Sequence, residues 1–272
     1  TIALTAVMVN PLRLDFMHGW TRNIMGSESS DIFVNPYEVR GNITEEVYSK
    51  LIRQFGLKEI DNQLLEKIKK YTKELHPLLK YKIFFAHRDL DKLLGEYEGG
   101  KQFYLYTGRG PSGPMHFGHI VPFIFTKWLQ DKFDTYLLIQ ITDDEKLMTR
   151  KVTDEEVRKY TEDNVLDILS LGFKKDKTFI IIDRINAGIL YNYAIEVAKR
   201  ITVSQVKDVF GFTDSDNIGK FFFTSMQAVP SFILSALTGK QFNCLIPYAI
   251  DQDDHFRIAR DVIPKLGFPK PA

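Results

Sequence analysis

Apolar and polar positions change period near residue 100. From Asn42 to Tyr97 apolar residues recur at helical spacing. Thr44 begins a helical run through Phe55, with Val47, Leu51 and Ile52 on one face, and Gly56 ends it. A second helix is expected from Ile60 to Leu75, striped by Leu64, Leu65, Ile68 and Tyr71 and stopped by Pro77. A third, shorter one runs from Arg88 to Tyr97 and closes at Gly99-Gly100. Beyond that point short apolar runs alternate with amphipathic segments. Strands are expected at 103–107, 135–142, 178–183 and 243–249, and helices at about 117–131, 153–170, 188–200 and 254–265. Thr153 and Glu156 form a capping box at the start of the second of these helices. Alternating β and α of this kind predicts an α/β fold, a parallel sheet with helices on both faces. Residues 31–100 thus read as a helical N-terminal extension. Residues 101–272 form the α/β domain, with a Phe-rich insertion at about 201–240. Residues 1–30 stay unassigned.

Composition narrows the setting more than the chemistry. A net charge of +1 gives no global pull toward nucleic acid, so any such contact must rest on local patches. The single cysteine, Cys244, rules out an intramolecular disulfide and suits a reducing compartment. No apolar run approaches the roughly 18 residues that span a bilayer. The apolar start Thr1 to Val9 lacks the basic leader of a secretory signal. The expectation is a soluble, cytoplasmic protein, in which the sequon at Asn42 is a chance match.

Candidate chemistry gathers between Phe103 and His119. A β-favouring run, Phe103 to Thr107, is followed by a turn rich in glycine, proline and serine from Gly108 to Pro114, and then by a helix. The first helical N–H groups lack partners and the dipole favours an anion, so this junction suits a phosphate. His116 and His119 fall on one side of the first turn. Gly118 between them leaves bare backbone against which a flat ring could lie. The segment Gly108 to Gly113 also fits a dinucleotide fingerprint, but the acid expected about 20 residues later is not placed for it. His87-Arg88-Asp89-Leu90 likewise resembles a kinase catalytic loop, yet Leu94 stands where a metal-binding Asn belongs.

Ligands of open parallel sheets bind at the carboxyl ends of the strands. There the sequence offers Tyr106 and Arg109, then Asp143-Asp144-Glu145-Lys146, then Asp251-Gln252-Asp253. Gln140 lies inside an apolar strand, where an unpaired amide costs about 1–3 kcal/mol. Its partner is either the core or a bound polar ligand. Taken singly, Tyr106 reads as a strand aromatic, Asp143–Glu145 as a solvated loop or cap, and each histidine as structural. Their convergence on one crevice is what suggests a site.

Several blocks carry a family resemblance: Thr107 to Ser112 with His116-Phe-Gly-His119, Ile141 to Lys146, Phe210 to Asp216, Met226 to Ser231, and Ala249 to Asp253 with Arg257, Arg260 and Asp261. In this order they resemble the tryptophanyl-tRNA synthetase family of the eukaryotic and archaeal type, over about residues 31 to 272. Likeness to tyrosyl-tRNA synthetases is weaker. The resemblance implies a class I, Rossmann-like catalytic domain, with tryptophan, ATP with Mg²⁺, and tryptophan tRNA as reactants. It implies an indole N–H received by Tyr106 and Gln140, an ammonium held by Glu145 and Gln252, and Gln227 near the carboxylate. Arg109, Gly110, His116, Gly118 and His119 match the ATP site, and Lys146 lies beside the amino acid; Arg109, His116, His119 and Lys146 are the expected catalytic groups. A homodimer using part of the Phe-rich insertion is also implied, and no resident metal. The family's Lys-Met-Ser loop and helical anticodon-binding domain would follow Gly267 to Ala272, which the 272 residues do not reach. A tryptophan-binding fragment that is catalytically incomplete, and tyrosine specificity, are the alternative readings.

Overall fold

The computed structural model describes residues 33–35, 38–40, 52 and 55–272. The unassigned residues 1–30 and all but the end of the helix expected from Thr44 lie outside the described residues. Where the extension was expected to be helical, two short antiparallel pairs also occur: β1 (Phe33–Asn35) with β2 (Glu38–Arg40), and β3 (Lys58–Glu59) with β4 (Ala86–His87). Three helices complete it. Helix α1 (Asn62–Thr72) starts at Asp61, whose carboxylate accepts from Leu64 N at 2.8 Å; α2 (Pro77–Lys80) and α3 (Leu90–Glu98) follow.

The sheet contains β5 (Phe103–Arg109), β6 (Leu137–Ile141), β7 (Thr178–Ile182) and β8 (Asn243–Leu245), in the order β7-β6-β5-β8 and all parallel. Helix α4 (Phe117–Phe133) links β5 to β6. Helices α5 (Asp143–Thr149) and α6 (Asp154–Leu169) link β6 to β7. The return to β8 passes through α7 (Ala187–Ala198), α8 (Val203–Phe210), α9 (Ile218–Ala228) and α10 (Ile233–Thr238), and α11 (Asp253–Val262) follows β8. The order reverses between β5 and β8, so the crevice opens at their carboxyl ends. The capping box forms as expected, with Thr153 N donating to Glu156 Oε2 at 2.8 Å and Glu156 N to Thr153 Oγ1 at 3.2 Å.

Strand alternation sorts the core into two layers. Phe103, Leu105, Leu137, Ile139 and Ile141 face one layer, which also takes Leu64, Ile68, Leu79, Leu93 and Leu94 of the extension. Tyr104, Tyr106, Leu138 and Ile181 face the other, with Leu190, Val206, Phe223 and Phe256. Extension and sheet therefore share one apolar core. Two expectations change. The last strand is shorter than 243–249, ending at Leu245, and its free side meets Ala272 through backbone bonds of 2.8 and 2.9 Å to Cys244 and Ile246. The acids Asp143 to Glu145, taken singly as a solvated loop or cap, begin α5, but Asp143 and Glu145 are buried rather than solvated.

The kinase-like tetrapeptide joins the extension to α11. Arg88 Nε and Nη2 donate to both oxygens of Asp253, at 2.8 and 2.7 Å, and Tyr248 OH donates to the same carboxylate at 2.9 Å. Asp89 pairs with Arg260, two turns further along α11. Asp253 is fully buried, and a buried carboxylate that loses its guanidinium is costly. Arg88→Ala should therefore lower unfolding stability by about 3 kcal/mol or more, measured by urea denaturation. A loss below about 0.5 kcal/mol, the range of an exposed pair, would show that the bond holds nothing together.

Candidate active site

A cavity of about 410 Å³ opens where β5, β8, α5 and α11 converge, within the range of ~300–1,000 Å³ usual for small-molecule sites. Of the residues expected from sequence, Tyr106, Arg109, Gly110, His119, Glu145, Lys146, Gln227 and Gln252 line it. His116, Gly118 and Gln140 do not. His116 stacks on His119, ring centroids 3.6 Å apart, and its backbone N donates to His119 Nδ1 at 3.3 Å. Burial, then the Arg109 charge, holds the His116 imidazole below its usual range. Gln140 stands behind Tyr106, with no exposed surface.

The tyrosine wall is a chain of polarised bonds. Gln227 Nε2 donates to the Tyr106 hydroxyl at 2.6 Å, Tyr106 donates to Gln140 Oε1, and Gln140 Nε2 donates to Asp183, 2.9 Å from each oxygen. The Gln140 amide thus finds its partners inside the protein, and one of them, Asp183, was not anticipated. Burial and the neighbouring Asp144 carboxyl push Asp183 well above the carboxylate range, and burial carries Asp144 up to about 6.

The opposite wall is charged. Lys146 pairs with Glu145, which also accepts from Thr149 Oγ1 at 2.9 Å. The lysine crosses directly above Gly110, where a methyl group would overlap its Cε. On the other face of β5, Arg109 Nε donates to Asn164 Oδ1 at 2.9 Å, and Asn164 Nδ2 donates to the Gly113 carbonyl at 3.0 Å. Burial pushes the Arg109 guanidinium down to about 10, against the opposing charge of Glu145. Asn164 therefore ties the arginine to the phosphate-sized loop, and no feature of α6 in the sequence distinguishes it. At the floor, burial takes His255 down to about 3, with Lys146 adding to it, so the ring is neutral. Gln252 donates to Asp251 at 3.0 Å.

The arrangement offers hydrogen-bonding groups around Tyr106, a carboxylate–ammonium pair at Glu145 and Lys146, and a glycine-backed helix entrance with the Arg109 cation and the stacked rings of His116 and His119. It suits a zwitterion with a flat side chain beside a nucleotide's phosphates. Among the described residues no group of three His, Cys, Asp or Glu could hold a metal ion, and no helix is long and apolar enough to cross a membrane.

The pattern of the tRNA synthetases class I (W and Y) matches residues 98–272. The chain is similar to the cytoplasmic tryptophan–tRNA ligase of Oryctolagus cuniculus, 48% identical over 90% of this chain and 54% of that protein. It is also similar to the tryptophan–tRNA ligase of Pyrococcus furiosus, 49% identical over 88% of this chain and 60% of that one. A crystal structure of a tryptophanyl-tRNA synthetase from Encephalitozoon cuniculi bound to tryptophan superposes with a TM-score of 0.79 at 39% identity, covering 82% of this chain and 63% of that one. The chain spans about half the length of the first of these relatives.

Two predictions follow from the geometry. Gly110→Ala should leave the fold intact, since the displaced group is the end of a flexible side chain, but should dislodge Lys146 from Glu145; an unmoved lysine in a crystal structure of the variant would contradict it. Burial raises Asp251 to about 7, as do burial and Asp253 for Asp254. A raised folded-state value means that the native protein keeps protons the unfolded chain releases near pH 4. Stability should therefore fall as pH rises from about 4 to 7, by up to about 1.4 kcal/mol per pH unit and group. Asp251→Asn should flatten that slope and match the wild type near pH 4. A slope unchanged in thermal melts across that range would refute the assignment.

Proposed function

The chain belongs to the class I tRNA synthetases of the tryptophan and tyrosine branch, and from that premise we propose that it activates L-tryptophan with ATP and passes it to tryptophan tRNA. In the first step a tryptophan carboxylate oxygen attacks the α-phosphorus, a new P–O bond forms, and pyrophosphate leaves. In the second, a terminal ribose hydroxyl of the tRNA displaces AMP from the adenylate. The observation that carries the tryptophan reading is the acceptor-bearing Tyr106 wall, backed by Gln140. Indole presents a single N–H donor, and a ring without one leaves the buried acceptor unpaired. Relatives named for tryptophan, rather than tyrosine, support the same choice.

The roles follow from position. Glu145 receives the substrate ammonium, exchanging its Lys146 partner for it or sharing both, and Gln252 stands beside it. Lys146 and Arg109 then face the carboxylate and the phosphates. His116, His119, Gly118 and Gly110 border the nucleotide, with the N-terminus of α4 turned to its negative charge. Chemistry of this kind rests on positioning and charge stabilisation, not on a covalent nucleophile. Mg²⁺ belongs with the ATP, held mainly by phosphates and water rather than by a protein cage. A homodimer is part of the proposal. Of the insertion phenylalanines, Phe210, Phe212 and Phe223 are buried while Phe221 and Phe222 are half-buried, and Ile218 of the insertion, with Ile185, Ile189 and Tyr191, adds exposed apolar surface for the contact. A cytoplasmic location accords with the name of the rabbit relative.

Isothermal titration should show tryptophan binding and no comparable tyrosine binding; the reverse preference would place the protein with the tyrosine enzymes. Tyr106→Phe should weaken tryptophan binding by about 1–3 kcal/mol. His119→Ala should lower adenylate formation, read by pyrophosphate exchange, with tryptophan affinity nearly unchanged. An equal loss of affinity would move His119 to the amino-acid pocket.

A further inference from the structure

We infer that Asp183, which touches no part of the cavity, is the specificity-determining positioning residue of the ring pocket, because it fixes which end of the Gln140 amide faces Tyr106. The inference rests on the tryptophan reading above. An amide carries a carbonyl and an NH₂ of nearly equal shape, so packing alone does not choose between its two orientations. Asp183 chooses. Its oxygens both lie 2.9 Å from Gln140 Nε2, and a carboxyl group keeps at least one acceptor oxygen in either protonation state. The lone pairs turned to Gln140 are therefore acceptors, and the amide must present NH₂ to them and its carbonyl to Tyr106.

Polarity then propagates. Gln140 Oε1 takes the Tyr106 hydroxyl proton, so the phenolic oxygen faces the cavity with lone pairs, of which Gln227 occupies one. A tyrosine hydroxyl has a single donor to spend. With the amide reversed, Gln140 would donate to Tyr106, the hydroxyl proton would turn to the cavity or against Gln227, and an indole N–H would meet another donor. Asp183 itself is held by position: its backbone N donates to Ile141 O at 3.1 Å at the end of β7. The adjacent Arg184 is pinned to Asp143, Nε to carboxylate at 2.8 Å. Residues 183 and 184 thus meet the two successive acids at the end of β6.

The test compares tryptophan with its benzothiophene analogue, in which sulfur replaces the ring N–H, by isothermal titration of the protein and two variants. The wild type should prefer tryptophan. Asp183→Leu, with the same branching and no acceptor, should shrink that preference by roughly tenfold or more, chiefly by weakening tryptophan. Asp183→Asn should keep the preference, because its NH₂ can face Asp144 and its carbonyl Gln140. Should the leucine variant melt below the assay temperature, Asp183→Ala carries the same expectation. A leucine or alanine variant as selective as the wild type overturns the inference alone, as does an asparagine variant that loses selectivity. A wild type that prefers tyrosine, or binds neither ring, overturns the tryptophan reading and this inference with it.

Discussion

Gln140 lies without exposed surface in a strand whose every residue is buried, and an amide placed there must be paired at both ends or cost the fold about 1–3 kcal/mol. That requirement organises the ring side of the pocket. The carbonyl end draws in Tyr106 from β5, and the NH₂ end draws in Asp183 from the end of β7. Gln227 reaches the same hydroxyl from α9 in the insertion. Three strands and the insertion are thereby held in register at one point. A purely apolar β6 would pack as well but would leave Tyr106 without a fixed proton direction. Buried polar networks specify one arrangement when every member is satisfied.

Arg109 and Asn164 do the same for the phosphate side. A guanidinium on a buried strand face needs an acceptor, and Asn164 supplies it while holding the Gly113 carbonyl with its other group. The two sides use opposite faces of β5. Tyr106 projects to one layer and Arg109 to the other, three residues on, so a single strand end serves both the ring and the nucleotide without crowding.

Much of this was legible beforehand. The four parallel strands and the capping box at Thr153 follow from local pattern, and the structure has them. Less legible were features set by distant partners. The strand after Phe242 stops at Leu245 because Pro247 and the turn to α11 follow, though the apolar run continues to Ala249. Asp143 and Glu145 look like solvated acids until Arg184, Lys146 and Thr149 are brought to them. Asp183 was the avoidable omission. It ends the third expected strand, and the rule that directed attention to the polar ends of the other three applied equally there. Asn164 carries no comparable signal, being one polar residue among many on an amphipathic helix.

The tetrapeptide His87 to Leu90 shows why short motifs need their context. Its arginine and aspartate, spaced as in a catalytic loop, face away from one another toward opposite charges on α11: Arg88 to Asp253, Asp89 to Arg260. Asp89 adopts a left-handed backbone conformation, φ +55°, at the start of α3, a strained choice for a residue with a Cβ. Its carboxylate pairs there with both Arg260 and Lys92. Asp253 in turn begins the helix whose next residues, Asp254 and His255, are buried, with His255 on the cavity floor. The extension thus bears on the site through this carboxylate, which fixes where α11 starts, and through β1, which packs against residues 250–252; none of its described side chains lines the cavity.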